Sequence, residues 1–576
     1  MPRQPITNWR TIPRRPREEA LLAARLRIHP LAAAALVASG VNSPEQAAAY
    51  ITGNLEALPS PFEMAGMAEA VDVIIAAVRD RHPILLHGDY DADGICSTAI
   101  LCRALQDIGA TAFYYLPDRF EDGYGVSPAA LREAAGRGVR LVITADCGIT
   151  AHDELSLARE LGLRVVVLDH HLPLDTLPPA DAIVAPRLPN WEYRCPDMPA
   201  SALSLRLVQA LGEALGGDGM AAAERFADIA AVGTVADVAP MEGENRVIVR
   251  AGLDAIRRTR WVGLKALKDI AGIGDVVRAW DVGFRIAPRI NAAGRLADAA
   301  LALDLLTTDD ETEAYRLAHH LDNHNRERQR IQEQILAQAL EMVALSPELL
   351  EYPVLVLSSP QWHVGVVGIV AAKLVEQFGR PTILLVEEGE GTRAEARGSA
   401  RSTEGFDIAF ALSACEDLLT TFGGHAMAAG LRLPRENIPS LREGLRRVAE
   451  EFGFAEPAGA APPAVIEAGL EELDETLPRD LARLEPFGRG NPEPLFSARS
   501  LEVVEARTVG RSMEHLKLIL TDGRRTVEAI GYGMARARNE TGPNALVDVC
   551  FVPVLDEYWG PPSVQLRLVG IRKARR

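Results

Sequence analysis

The sequence predicts an α/β protein in four parts: a mostly parallel sheet with crossover helices, a long connecting helix, a second α/β unit and a small closed β-barrel. Three observations carry this reading. Between about residues 70 and 240, short apolar runs alternate with helical segments, the pattern of parallel strands joined by crossover helices. From Glu311 to about Leu345, the residues Leu317, Leu321, Ile331, Ile335, Leu336, Leu340 and Val343 recur at helical spacing without an internal Gly or Pro. After residue 465 the runs SLEVVEARTV, HLKLILTDG, TVEAIGYG, ALVDVCFVPVL and VQLRLVGI follow one another with turns between them, as strands of a barrel do.

In chain order, residues 1–70 read as a helical lead-in. Ser43-Pro44-Glu45-Gln46 has the form of a capping box that opens the helix PEQAAAYI. Residues 71–305 form the parallel-sheet domain, with strands expected in PILLHG (83–88), RLVITADCG (140–148), RVVVLDHH (164–171) and ADAIVAP (180–186). Ligands of such sheets gather beyond the carboxyl ends of the strands. The connecting helix, 306–350, is ~50 Å long at ~1.5 Å per residue. Residues 351–455 hold YPVLVLSS, RPTILLVEE and GGHAMAAG. EPAGAAPPA (456–464) reads as a linker, and 465–576 as an OB-like barrel.

Composition narrows the function classes. With 48% hydrophobic and 24% charged residues, the chain reads as an ordinary soluble protein. Its most apolar stretch, LAAAALVASG (31–40), is far short of the ~20 residues a membrane span needs. The six cysteines are scattered with no C-x-x-C pair, which argues against zinc knuckles and disulfides and for a reducing cytoplasm. A formal charge of −18 argues against a protein that merely coats nucleic acid. Only five of the 61 basic residues are lysine. Arginine is the better bidentate partner for phosphate, so the positions of the arginines carry the information.

The stretch HGDYDADG (87–94) places one histidine and three aspartates in a strand-to-helix turn. A single aspartate there is ordinarily a turn former or helix cap. Here Asp146 ends the next strand, Asp169-His170-His171 ends the one after, and Asp237 closes the apolar run IAAVGTVAD. Together His87, Asp91, Asp93, Asp146, His170 and Asp237 offer two imidazoles and four carboxylates. That donor set suits Mg²⁺ or Mn²⁺ better than structural zinc. Two such ions, ~3.5 to 4 Å apart, would suit in-line attack on phosphorus.

HGDYDADG, TADCG, LDHH and GTVADV resemble the four successive motifs of the DHH phosphoesterase superfamily. GFRIAPRINAAGR (283–295), WHVGVVGIVAAKL (362–374), RGSARS (397–402), FGGHAMAAG (422–430) and LEPFGRGNPEP (484–494) resemble its RecJ branch, bacterial 5′-to-3′ exonucleases specific for single-stranded DNA. The likeness runs over nearly the whole chain. It implies a DHH catalytic domain, a DHHA1-type second domain that binds substrate, and an OB-like domain that binds nucleic acid. It further implies that His87 and Asp91 bind one metal, that Asp93, His170 and Asp237 bind the other, and that Asp146 bridges them. His171 would stand behind the ligands or touch the scissile phosphate, with Asp169 orienting the imidazoles. Asp89 receives no ligand role. Where ASALSLRL (200–207) stands, this branch usually has a glycine-bearing AGV-type segment, which leaves the local packing open. Single-stranded DNA is the implied partner, with a single-strand-binding protein and a RecQ-type helicase beside it.

Around the metal residues, PRINAAGR offers Arg289, Asn291 and Arg295 to a phosphoryl group, or to carbonyls of a Gly-rich turn. RGSARS combines Arg397, Ser399, Arg401, Ser402 and a small Gly398 into an anion cradle, unless it is a solvated turn. Arg119 suits a phosphate, and Tyr124 either a base or half-buried packing. His363 and His425 stand beside glycines that permit close approach of a nucleotide or equally a tight turn. Lys517 and Trp559 would guide a strand or pack the barrel. Three functions compete: a metal-dependent 5′-to-3′ exonuclease releasing mononucleotides in DNA repair and recombination, a phosphodiesterase of short oligonucleotides or cyclic dinucleotides, and a non-catalytic replication scaffold. The full set of ligands disfavours the scaffold, and the barrel disfavours the short-substrate enzyme.

Overall fold

The computed structural model describes residues 6–119, 123, 125–389, 394–452, 462–556 and 562–574. The first sheet has the spatial order Ala112–Tyr115, Ile84–His87, Leu141–Ala145, Arg164–Leu168, Ala182–Val184, with every pairing parallel. Its central strands are buried on both faces, which is why they appear as unbroken apolar runs. Helices Ala92–Asp107, Ala200–Ala214 and Ala227–Ala236 cover one face, and Pro128–Gly136 and His152–Glu160 the other. The edge strand Ala112–Tyr115 was not expected; Phe113 and Tyr114 on it are exposed, so no buried run marks it in the sequence.

The connecting helix spans Glu311–Leu345 and is capped by the Asp310 carboxylate, which accepts the Glu313 N–H. Its first half packs Ala314, Leu317 and Leu321 into the core of the first domain, and its second half packs Ile335, Ala339 and Val343 into that of the second. One rod therefore fixes the two domains to each other. The second sheet runs Thr421–His425, Ala428–Pro434, Glu395–Arg401, Thr382–Glu388, Leu355–Ser359. Beyond it, Phe496–Val509, His515–Thr521, Thr526–Gly531, Ser563–Lys573 and Leu546–Asp556 pair in that order, and the last returns to the first. That closure makes the five-stranded OB barrel. The proposed linker lies mostly outside the described residues.

The N-terminal segment is helical and packs on the barrel domain. Arg10–Ile12 pairs in parallel with Ala464–Glu467, which extends the barrel sheet. Helices Pro16–Leu26 and Pro30–Ala38 bury Leu22, Leu31 and Leu36 in one core with Leu477, Phe496 and Leu518. LAAAALVASG is thus largely a core helix of the barrel domain, and among the described residues no single helix is long and apolar enough to cross a membrane. Ser43 does cap Pro44–Thr52, its Oγ accepting the Gln46 N–H at 3.1 Å. Arg246 then joins three parts of the chain: its guanidinium lies 3.6 Å from the Tyr50 ring centre and donates to the carbonyls of Leu484, Glu485 and Pro486. All six cysteines are buried free thiols.

Candidate metal and nucleotide site

The acids converge because each lies at the terminus of a strand or helix, Asp91 and Asp93 at a helix start, Asp146 after a strand and Asp237 at a helix end. Asp91 caps helix Ala92–Asp107, its Oδ1 accepting the N–H groups of Asp93 at 2.9 Å and Gly94 at 3.2 Å. A β-carbon at Gly94 would lie 2.7–2.8 Å from the Asp89 backbone and Cβ, so only glycine allows so tight a turn. Asp93 receives the first amides of helix Ala200–Ala214, Ala200 N at 2.7 Å and Ser201 N at 3.0 Å. ASALSLRL therefore seats that carboxylate directly. Asp146 follows strand Leu141–Ala145 in the left-handed region, with φ of 68°, a conformation aspartate tolerates better than most residues.

His170 sits between the acids, its Nε2 3.1 Å from Asp146 Oδ1 and 4.0 Å from Asp93 Oδ2, its Nδ1 3.9 Å from Asp237 Oδ2. His171 is held through Nδ1, 2.6 Å from Asp169 Oδ1, while Asp169 Oδ2 accepts the Ile149 N–H. Ligand atoms fall into three overlapping groups, each within 4.8 Å: Asp89, Asp91 and Asp146; Asp146, His170 and His171; Asp93, His170 and Asp237. Asp146 and His170 each belong to two.

Burial raises the carboxyl pKa values of Asp89, Asp93 and Asp146, and neighbouring acids raise them further. Asp237 is pushed up to about 7 by burial and by the Asp93 charge. For His170, burial acts downward but is outweighed by Asp237 and Asp93, so its pKa rises. Burial would raise Asp169, yet the bond from His171 holds it below the usual range. Asp89 Oδ1 is buried with no hydrogen-bond partner among the described residues. Carboxylates that resist joint ionisation, an orphaned oxygen and interspersed imidazoles fit hard divalent cations. Asp89, given no role by the sequence, stands inside this group.

His87 is the exception. It is fully buried, its Nε2 accepts the Ser127 N–H at 3.0 Å, and its Nδ1 lies 3.8 Å from Cys147 Sγ. Among the described residues it joins none of the three groups, and its ring meets the Val126–Ser127 loop.

Arg289 also departs from expectation. Its guanidinium is bound to buried Asp322, at 3.0 and 2.8 Å, and to the Arg285 carbonyl, so it braces the connecting helix. Asn291 Oδ1 accepts the Ala92 N–H at 2.9 Å and so positions the metal loop instead of facing a phosphoryl group. Arg295 reaches the second domain at Gly365 O, 3.2 Å away. Its pKa is pushed down to about 9 by burial and by the charges of Arg119, Arg328 and Arg401, against the opposing pull of Asp91. Among the described residues no carboxylate stands at ion-pair distance from Arg295, Arg328 or Arg401.

Arg397, Ser399 and Arg401 lie on one face of strand Glu395–Arg401. Gly368 leaves room for them: a β-carbon there would stand 3.0 Å from Arg401 Nη2 and 3.3 Å from Ser399 Oγ. Arg119 lies 5.1 Å from the Tyr90 ring centre. Burial, then Arg119, lowers the Arg401 pKa. His363 serves as a helix cap, its Nδ1 accepting the Gly365 N–H at 3.1 Å. His425 is exposed on the edge strand. Tyr124 and Trp559 lie outside the described residues, and Lys517 pairs with Glu528 at 2.6 Å.

Arg328 was missed, although the sequence holds a signal for it. Leu321, Asn325, Arg328, Gln332 and Ile335 share one helical stripe, and three of these five are polar where the pattern is otherwise apolar. Arg328 donates to Asn325 and Gln332, which point it inward.

The chain matches family models described as the DHH family N-terminal domain over residues 83–234, the DHHA1 domain over 351–451 and the RecJ OB domain over 466–570. It is 36% identical over 550 residues to the single-stranded-DNA-specific exonuclease RecJ of Bacillus subtilis, covering 95% of this chain and 68% of that protein. The chain belongs to the RecJ family. Crystal structures of RecJ from Thermus thermophilus with Mn²⁺ and with Mg²⁺ superpose on this RecJ-family chain with TM-scores of 0.83 and 0.76, at 33% and 31% identity. Each covers 99% of this chain, and 80% and 79% of those chains.

Proposed function

We propose that this chain is a 5′-to-3′ exonuclease that hydrolyses single-stranded DNA to 5′-mononucleotides with two Mn²⁺ or Mg²⁺ ions. The observation that carries it is the place of Asp146, common to two ligand groups, one of which includes Asp91, whose charge acts on Arg295 together with those of Arg119, Arg328 and Arg401. Asp89, Asp91 and Asp146 would hold one ion; Asp93, His170 and Asp237 the other, with Asp146 between them. When bound, such ions neutralise the acids, polarise a phosphodiester and lower the pKa of water. His171, held by Asp169 at 2.6 Å, would stand behind the ligands or touch the scissile phosphate.

Polarity requires a terminus to be recognised. A terminal 5′-phosphate carries more charge than an internal diester, and Arg119, Ser399 and Arg401 are suited to it. Arg295 and Arg328 deepen the same positive field. The first nucleotide held there sets its 3′ linkage over the acids, and the barrel receives the rest of the strand. A cytoplasmic site of action in DNA repair and recombination, a single-strand-binding protein and a RecQ-type helicase complete the proposal on family grounds.

The test is to incubate the purified chain with single-stranded DNA, duplex DNA and RNA of one sequence, with Mn²⁺, with Mg²⁺ and with a chelator. The reading expects metal-dependent loss of the single-stranded DNA alone. Equal attack on the duplex, or activity in chelator, contradicts it.

A further inference from the structure

Four of the most exposed large apolar side chains stand at the end of helix Ala227–Ala236 and on the segment packed against it: Val238, Val276, Trp280 and Phe284. Trp280 is 60% exposed and Phe284 62%, yet their rings stack on each other, with centroids 5.3 Å apart and planes 26° apart. Phe284 belongs to a π-turn, Val282–Ile286, which runs directly into the helix bearing Asn291 and Arg295. Such turns are frequent at functional sites.

The pair is rigidly mounted. Arg285 donates to the carbonyls of Ala271 and Gly272 and pairs with Asp281 at 3.2 Å, and the Arg278 N–H donates to Asp281 at 3.1 Å. Asp281 is the one acid between 276 and 286, so these bonds leave the rings without an unpaired negative neighbour on their own segment. On one side lies the metal site: Val238 follows Asp237, and Asn291 follows Phe284 by seven residues, ~10 Å of helix. On the other side lies the approach to the barrel, through Arg278 with Glu485 at 3.4 Å and the Met241 N–H on Arg489 O at 2.7 Å. The rings thus stand on a segment that touches both the helix leading to Asp237 and the chain leading into the barrel.

We propose that Trp280 and Phe284 form a stacking platform for bases of the single strand on the 3′ side of the scissile linkage. The inference rests on the exonuclease reading and names a contact within it. Every base has a π-face, so the platform takes any sequence. It also holds the strand without added positive charge, which suits a chain of net charge −18. The paired rings are already aligned before the strand arrives, so little side-chain freedom is lost on binding.

The test is an abasic scan on the full chain with Mn²⁺, using 5′-phosphorylated 12-mers with one base removed at each position in turn. Wild-type protein should show one or two positions where the missing base lowers kcat/KM roughly tenfold. Trp280→Ala should lower kcat/KM on intact strands by a similar factor and erase the penalty at those positions. Trp280→Tyr should restore both, which separates loss of the ring from loss of the fold. A wild-type penalty pattern in Trp280→Ala, or wild-type rates on intact strands, overturns the platform and leaves the exposed rings to a protein partner. If the wild-type chain degrades no single strand, the exonuclease reading falls and the platform with it.

Discussion

Asn291 Oδ1 accepts the Ala92 N–H at 2.9 Å, tying the helix that bears Arg295 to the turn that bears Asp91 and Asp93. The two residues are 199 positions apart in the chain, so this bond transmits the placement of one helix to the metal loop. Groups that orient metal ligands typically contribute about 10 to 100-fold in metal affinity. Asn291→Ala should therefore raise the Mn²⁺ concentration needed for half-maximal activity by about that factor. The rate at saturating Mn²⁺ should fall much less. A metal titration of variant and wild type checks this; equal titration midpoints with a lower plateau would place Asn291 on the substrate instead.

Asp146 belongs to two ligand groups, so its loss should disturb both ions. Asp146→Ala should reduce kcat by at least about a thousandfold, equivalent to ~4 kcal/mol of barrier. Its folding should survive, since removing one of several mutually repelling acids relieves strain in the metal-free state. Steady-state rates and thermal melts are the measurements. Near-normal turnover at saturating Mn²⁺ would remove Asp146 from the centre of the site.

The metal-free protein should be pH-sensitive in a defined direction. Asp237 has its folded pKa raised to about 7, and Asp89, Asp93 and Asp146 are raised too. A raised carboxyl pKa means the stability is full below the unfolded value of about 4 and is lost as pH rises through the folded value. His170 is also raised, and its contribution fades upward from about 6.5 in the same sense. Asp169 acts oppositely, losing its contribution on acidification. Between about pH 5 and 8 the raised groups dominate by number. In chelator, Tm should fall by several degrees across that range, and added Mn²⁺ should recover more of it at pH 8 than at pH 5.5. Melting curves at both pH values, with and without Mn²⁺, decide the point.

The sequence revealed those parts that depend on local pattern. Fully buried parallel strands left apolar runs, their carboxyl ends left acids, and the connecting helix left a period. What it hid depends on distant contacts. Pairing of Arg10 with Ala464 has no local signature, so the docking of the N-terminal helices on the barrel domain was not legible. Arg289 has a side chain of the right chemistry, but Asp322, 33 residues on, holds it, and the bond from Ser127 to His87 likewise has no local signature. Arg328 was hidden among similar arginines, of which Arg326 and Arg330 pair outward with Asp322 and Glu327.

Recognition of the 5′ end gives another test. Arg401 stands next to Ser399 on the strand face that Gly368 leaves open, and no carboxylate pairs with it among the described residues. Arg401→Ala should lower kcat/KM on 5′-phosphorylated strands about 10 to 100-fold, as expected for a lost charged hydrogen bond of roughly 1.5 to 3 kcal/mol. Rates on 5′-hydroxyl strands should change little. Equal losses on both substrates would assign Arg401 to an internal phosphate.

The central claim is that acids gathered around Asp146 cut one nucleotide at a time from a 5′ end held by the second domain. The most direct measurement sizes the first products from a single-stranded oligonucleotide carrying distinguishable labels at its two ends, in Mn²⁺, with wild type and Asp146→Ala side by side. The account predicts that wild type first releases the 5′ label as a mononucleotide while the 3′ label stays on long fragments, and that Asp146→Ala releases neither. First release of the 3′ label, or internal fragments as first products, would contradict it.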